Sequence, residues 1–110
     1  MIAPPPSLDL MFQALADPTR RFIVERLSRG SASVRDLAGP ITMSLPSVLQ
    51  HLQVLEASGL VETRKVGRVR LCSLQPIALQ IIDTWVHARC ADPKRGMDGN
   101  PDPEKRTREN

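Results

Sequence analysis

Residues 43–59 read MSLPSVLQHLQVLEASG, and this stretch carries the start and stop signals of a helix. Ser44 is a typical N-cap, because its hydroxyl can accept a hydrogen bond from a free N–H group of the first turn. Pro46 is tolerated in that same turn, where a missing N–H costs little. Gly59 is suited to the left-handed residue that ends a helix. The stretch therefore predicts a helix over about residues 44–58.

The two sides of this helix differ in chemistry. On a period of 3.6 residues, one side is apolar and must face a core; it consists of Leu45, Val48, Leu49, Leu52 and Leu55. The other side carries uncharged donors and acceptors, namely Ser47, Gln50 and His51, with Gln53 nearby. Such groups contact base edges and phosphate oxygens in protein–DNA complexes. An ordinary solvated helix face explains this helix alone equally well, so the flanking sequence has to decide.

Two further helices are predicted near the start of the chain. Ser7 can cap the first, in which apolar residues recur at i, i+3, i+4 and i+7, namely Leu8, Met11, Phe12 and Leu15. Asp17 and Pro18 are the cap and first-turn proline of the second, which extends to about Arg29 and is closed by Gly30. Its predicted inward groups are Phe22, Ile23, the stem of Arg26 and Leu27.

A short third helix leads into the helix at residues 44–58. Ser33 can cap it, and it extends from Val34 to about Gly39, where Gly39 and Pro40 interrupt the helical pattern. Residues 41–43 then form a turn. Two helices joined by a short turn, the second with a polar outer face, constitute a helix-turn-helix unit.

A basic hairpin is predicted directly after this unit. Residues 60–65 and 69–74 are rich in β-forming side chains, and the loop between them contains Gly67. Four cations cluster at its tip, namely Arg64, Lys65, Arg68 and Arg70. Edge strands also carry Lys and Arg simply to discourage aggregation. The position after a helix-turn-helix favours a wing, over about residues 61–74, that reaches a phosphate strand or the minor groove.

The last helix, at about residues 76–91, is unusually apolar for a terminal helix. Packing onto its own domain is one explanation, and packing against a second copy across a two-fold axis is the other. We favour a homodimer in which this helix and the first one meet their twins. The predicted dimer contacts are Leu8, Met11, Phe12, Leu15, Ile81, Ile82 and Trp85.

The length and composition fit a single domain with an aliphatic core. A chain of 110 residues accommodates one core, which we assign to residues 7–91, between a flexible arm at 1–6 and a disordered, Pro-, Gly- and charge-rich tail at 92–110. Its three aromatic residues argue against a base-stacking, single-strand binder. The net charge of +3 permits nucleic-acid binding. No apolar run of about 20 residues or secretion signal is found, so we expect a cytoplasmic protein without a membrane partner.

The predicted fold is mainly α with a small β-hairpin wing, in the order α-α-α-α-β-β-α, which is a winged helix-turn-helix. Its sequence resembles the ArsR/SmtB-type transcriptional regulators over about residues 8–86, in the segments LADPTRR (15–21), IVERL (23–27), MSLPSV (43–48), HL (51–52), VLE (54–56) and GLV (59–61). The resemblance implies a homodimeric repressor that binds a palindromic operator in double-stranded DNA. The matching recognition-helix positions are Ser44, Pro46, Ser47, Gln50 and His51, and the wing positions are Arg68 and Arg70. Leu49 replaces a serine found in many relatives.

The family's signal-sensing sites are mostly missing from this chain. Metal-sensing members carry a Cys-x-Cys motif before the recognition helix, whereas residues 33–38 contain neither cysteine nor histidine. Asp83 and His87 share a face at i, i+4, as in a second family metal site, although such a pair is more often a surface salt bridge. Cys72 and Cys90 would be a redox pair only if folding or dimerisation brought them together. We therefore expect the metal-independent branch, without a cofactor.

Two other classes of function compete with the DNA-binding repressor. A winged helix can instead be a protein-interaction module without specific DNA binding, which is our alternative prediction. An enzyme is disfavoured, because the sequence shows no nucleophile–base pairing, no phosphate-binding glycine loop and no carboxylate cluster in a recognisable spacing.

Overall fold

A computed structural model describes residues 6–90, so most of the predicted arm and the whole predicted tail lie outside the described residues. The elements in chain order are α1 (Leu8–Leu15), α2 (Pro18–Leu27), β1 (Ala32–Ser33), α3 (Val34–Ala38), α4 (Leu45–Ser58), β2 (Val61–Val66), β3 (Val69–Leu74) and α5 (Pro76–Cys90). The chain divides into two compact units, one ending at Leu79 and the other beginning at Gln80. The predicted mainly helical fold with a hairpin wing is confirmed, with one additional strand, β1.

All four predicted N-caps are present in the structure. Their side-chain oxygens accept from backbone N–H groups three residues on, at 3.5 Å for Ser7, 3.0 Å for Asp17, 3.0 Å for Ser33 and 3.4 Å for Ser44. Each such cap is typically worth about 1 kcal/mol relative to alanine. The caps therefore fix where α1, α2, α3 and α4 begin.

The sheet has three antiparallel strands in the order β1-β3-β2. Val66 pairs with Val69 across a two-residue turn, in which Gly67 has a φ of +65°. On its other edge β3 pairs with β1, with Ala32 opposite Cys72 and Ser33 opposite Leu71. This pairing joins the segment before α3 to the wing. The helix-turn-helix and the wing are therefore held together by one sheet.

The core of the first unit is aliphatic, as predicted. Its fully buried side chains include Met11, Ile23, Leu37, Val48, Leu55, Leu60 and Val61. The core extends from α4 to the start of the wing. Leu60, in the connection after α4, and Val61, the first residue of β2, are both 0% exposed. The buried face of α4 positions its opposite face toward solvent.

Three predicted environments are wrong. Phe22 is 41% exposed, because Ile23, Val24 and Leu27 form the inward face of α2 and leave Phe22 about 100° around the helix from Ile23. Met11, predicted at the dimer contact, is 0% exposed and belongs to the core, so it has no surface to offer a second chain. Leu45, predicted in the apolar core face of α4, is 52% exposed, because it lies in the first turn beside a surface groove.

Residues 80–90 of α5 form the described part of the second unit. Ile81 and Ile82 are half-buried, whereas Trp85 is 39% exposed. The Arg89 guanidinium lies 4.5 Å from the centre of the Trp85 ring and donates to the Trp85 carbonyl at 3.2 Å. This cation–π contact covers part of one aromatic face. Among the described residues, no helix is long and apolar enough to span a membrane.

Candidate nucleic-acid interface

The outer face of α4 carries the polar residues that the sequence predicted for DNA contact. Ser44, Pro46 and Gln50 are exposed, and Ser47 is half-buried. The Ser44 hydroxyl donates to the Ser47 hydroxyl oxygen at 3.0 Å while accepting from the Ser47 backbone N–H. The Ser47 hydroxyl therefore keeps its own hydrogen for a further acceptor, such as a phosphate oxygen.

His51 contacts Arg20 of α2 and Asp17, the residue that caps α2. Its Nδ1 atom lies 3.2 Å from an NH1 donor of Arg20 and 3.8 Å from a carboxylate oxygen of Asp17. A guanidinium can only donate, so Nδ1 is the acceptor and the proton of the neutral ring is on Nε2. The contact with Arg20 thus fixes the tautomer, and His51 has a donor at Nε2.

Arg20 connects three helices, a role that the sequence did not predict. Its Nε donates to the Ala14 carbonyl at 2.7 Å and its NH2 to the Gln13 carbonyl at 3.1 Å, which also accepts from the Ala16 backbone N–H at the end of α1. Its NH1 group reaches His51 in α4. Its backbone N–H also donates to Asp17, and this bond is the largest cause that lowers the pKa of the Asp17 carboxyl. Arg20 therefore holds α4 against α1 and α2.

The four wing cations are all exposed. Lys65 and Arg70 are direct partners across the hairpin, and Arg68 lies in its turn. Like charges opposite each other destabilise a sheet. Within residues 6–90 no acidic side chain forms an ion pair with any of the four. A bound polyanion would relieve this repulsion, which is the electrostatic property expected of a DNA-contacting wing.

A groove lies between α3, the first turn of α4 and the wing, and we call it the α3–wing groove. Its volume is about 650 Å³. Its apolar lining includes Val34, Ala38, Leu45 and Val69, and its cations are Arg35, Arg68 and Arg70. Arg35 was not predicted as a functional residue, because an isolated arginine in a short helix carries no sequence signal.

The two cysteines lie in different environments. Cys72 is 0% exposed on β3, whereas Cys90 is exposed at the end of α5. Burial, followed by the nearby Glu56 carboxylate, raises the pKa of the Cys72 thiol to about 11, against a smaller lowering effect of Arg70. Since the thiolate is the reactive form, both burial and the raised pKa oppose oxidation of Cys72.

We expect iodoacetamide to alkylate Cys90 and to spare Cys72 in the folded protein at pH 8. A thiol with a pKa of about 11 is ionised in roughly one molecule in a thousand at this pH. Peptide mass spectrometry after timed quenching measures both sites, and the same reaction in urea, where Cys72 becomes accessible, is the control. Equal rates at the two sites in the folded protein would contradict the buried environment of Cys72.

The candidate metal residues Asp83 and His87 line a surface depression of α5 together with Thr84 and Ala88. They share one face, as their spacing predicted. Among the described residues, no group of three or more His, Cys, Asp or Glu side chains is arranged to hold a metal ion.

A winged helix-turn-helix DNA-binding protein is defined by the polar face of α4, the basic hairpin that follows it, and strand β1, which pairs the segment before α3 with that hairpin. Residues 17–63 match the family described as bacterial regulatory protein, arsR family. The chain is 46% identical over 78 residues to the HTH-type transcriptional regulator Rv2034 of Mycobacterium tuberculosis, covering 71% of this chain and 73% of that protein. It is 32% identical over 76 residues to the transcriptional repressor SdpR of Bacillus subtilis, covering 69% and 84%.

Solved structures agree with these sequence matches. The crystal structure of the ArsR family transcriptional regulator RHA00566 is 45% identical and superimposes with a TM-score of 0.74, covering 76% of this chain and 92% of that one. The chain therefore belongs to the ArsR family. It is a DNA-binding transcriptional regulator, and its family and relatives are regulators rather than enzymes.

Proposed function

We propose that the protein is a homodimeric repressor that binds a palindromic operator, with α4 in the major groove and the wing on the phosphate backbone. The observation that carries this proposal is the set of wing cations without ion-pair partners among residues 6–90, beside the polar face of α4. In a two-fold dimer the half-sites would lie about one helical turn apart, roughly 10 bp. The DNA-contacting residues would be Ser44, Pro46, Ser47, Gln50, His51, Arg64, Lys65, Arg68 and Arg70.

Apolar exposure on each unit supports the dimer. On α1, Phe12 is 41% exposed, and Leu8 and Leu15 are half-buried. On α5, Trp85 is 39% exposed beside the half-buried Ile81 and Ile82. Large apolar side chains on a surface often mark a protein interface. We propose these six residues as dimer contacts. The test is sedimentation equilibrium, which compares the monomer–dimer dissociation constant of the wild type with that of Trp85→Glu.

We also propose that the protein acts in the metal-independent branch of the family. The helix before α4 contains Val34, Arg35, Asp36, Leu37 and Ala38, so it offers one carboxylate and no thiolate or imidazole. Soft metal ions prefer thiolate ligands, which this segment lacks. If the proposal holds, zinc at micromolar concentration will leave the affinity for operator DNA unchanged in fluorescence anisotropy.

The test of the proposed function is fluorescence anisotropy against DNA from upstream of its own gene, at several salt concentrations, with unrelated DNA as the control. We expect Arg68→Ala or Arg70→Ala to weaken binding to both DNAs and to reduce the salt slope by about 1 for each phosphate interaction that the substitution removes. Arg29→Ala removes an exposed arginine outside the wing and is the matched control, with little change in slope.

The recognition helix should respond differently from the wing. We expect Gln50→Ala to narrow the preference for operator over unrelated DNA, because removing a hydrogen bond to a base costs about 1–3 kcal/mol only on the correct sequence. The salt slope should stay as in the wild type. Equal losses on every DNA for both kinds of variant would contradict these roles. Salt-insensitive or absent binding, with dimerisation retained, would favour the protein-interaction module instead.

A further inference from the structure

The α3–wing groove combines an exposed apolar wall with a cluster of positive charges. Leu45 and Val69, on its apolar side, are 52% and 47% exposed. Arg35, Arg68 and Arg70 bring three positive charges to the same groove. Within the described residues, none of these arginines forms an ion pair. The groove therefore has an apolar wall and uncompensated cations in one concave site.

Its size and lining fit a small molecule. The volume of about 650 Å³ lies within the range of small-molecule sites, which are mostly apolar with a few polar groups that fix orientation. Guanidinium groups pair with carboxylates and phosphates through two parallel hydrogen bonds. An apolar body would cover Leu45 and Val69, while an acidic head would compensate the arginines.

We propose that the α3–wing groove binds a small amphipathic anion, an aliphatic body that carries a carboxylate or phosphate head. Charge complementarity selects the head, and the exposed aliphatic wall selects the body. A phosphodiester backbone satisfies only the first of these requirements, because it presents charge and sugar rather than an aliphatic chain.

Binding of such an anion would regulate the proposed repressor, and this consequence rests on the proposed function. Arg68 and Arg70 belong both to the groove and to the wing that we assign to phosphate contact. One anion in the groove removes these cations from DNA, so ligand and operator compete. The inducer that this competition predicts is an organic anion rather than a metal ion.

The direct test is isothermal titration calorimetry of the full-length protein with sodium decanoate, below its micelle-forming concentration and without DNA. Acetate supplies the head alone, and 1-decanol supplies the body alone. We expect saturable binding of one decanoate per chain, at least tenfold tighter than binding of either partial ligand. Absence of saturable decanoate binding, or equal affinity for all three, would overturn the proposal.

The wing offers a matched pair of variants. Val66 and Val69 are direct partners in the hairpin and are 54% and 47% exposed, yet only Val69 lines the groove. We expect Val69→Ser to weaken decanoate binding at least fivefold and Val66→Ser to leave it unchanged. Arg35→Gln and Arg64→Gln form a second pair, since Arg35 lines the groove and Arg64 does not. Equal losses within both pairs would indicate non-specific adsorption and would overturn the site.

Anisotropy with labelled operator then separates the two proposals. Decanoate should raise the apparent Kd for DNA in the wild type and in Val66→Ser, whereas Val69→Ser should need at least five times as much decanoate for the same rise. Groove-specific binding in the calorimeter by a protein that shows no sequence-preferring DNA affinity would contradict the operator assignment but retain the groove. Tight operator binding without decanoate binding would contradict the groove proposal but retain the operator assignment.

Discussion

Replacing Gly59 by alanine is expected to lower the free energy of unfolding by about 2–4 kcal/mol, because two costs add at this position. Gly59 ends α4 with a φ of +88°, and a non-glycine residue in the left-handed region typically costs about 1–2 kcal/mol. In addition, a Cβ there would lie 2.6 Å from the Pro6 Cα and 2.9 Å from the Pro6 nitrogen. These are backbone atoms, so the chain itself must move.

That movement would disturb the start of α1. The Ser7 backbone N–H donates to the Ser58 carbonyl at 3.3 Å, directly beside the Gly59–Pro6 approach, and the Ser7 hydroxyl caps α1. Displacing Pro6 therefore weakens the hydrogen bond and the cap together. The end of α4 and the start of α1 are consequently coupled through one glycine.

Gly67→Ala is the matched control for this prediction. Gly67 also has a positive φ, +65°, but a Cβ there would meet nothing within 4 Å. Urea unfolding followed by circular dichroism should give a loss of about 1–2 kcal/mol for Gly67→Ala, from the backbone cost alone. In a chain without residues 1–6, the loss of unfolding free energy caused by Gly59→Ala should fall to the same value. Equal losses for the two variants in the full-length chain would refute the steric contribution of Pro6.

The elements whose signals are local in sequence were predictable. The N-caps at Ser7, Asp17, Ser33 and Ser44 depend on one side chain and a backbone N–H three residues later, so the sequence contains both partners. The glycine stop at Gly59 is local in the same sense. These signals predicted the helix order, and the hairpin followed from its β-rich segments around Gly67.

The features that depend on distant partners were not predictable. Strand β1 has only two residues, too few to show a period, and it exists because Ala32 meets Cys72 forty positions later in the chain. Leu45 matches the helical period of the core face, yet its position in the first turn leaves it at the α3–wing groove. Its environment is set by α3 and the wing, and periodicity within α4 contains no information about them.

Arg20→Ala is expected to lower the free energy of unfolding by about 2–3 kcal/mol and to weaken operator binding further in the molecules that stay folded. Arg20 is half-buried and donates to two carbonyls at the end of α1 as well as to His51. Hydrogen bonds from charged groups contribute about 1.5–3 kcal/mol each, and those sharing one side chain do not add fully. Without Arg20, the carbonyls of Gln13 and Ala14 lose these donors and His51 loses the donor that fixes its tautomer.

Arg21 provides the control, since its NH1 group donates to the Leu15 carbonyl at 2.7 Å but the contact is exposed and joins no third helix. Arg21→Ala should cost less than about 1 kcal/mol, because water replaces an exposed donor readily. A double-mutant cycle of Arg20→Ala with His51→Ala, read by urea unfolding and by anisotropy, measures the coupling directly. We expect a coupling of about 1 kcal/mol in both readouts, because the bond between these residues joins α2 to α4. A coupling in stability but none in DNA affinity would mean that Arg20 supports the fold without orienting the DNA-contacting face of α4.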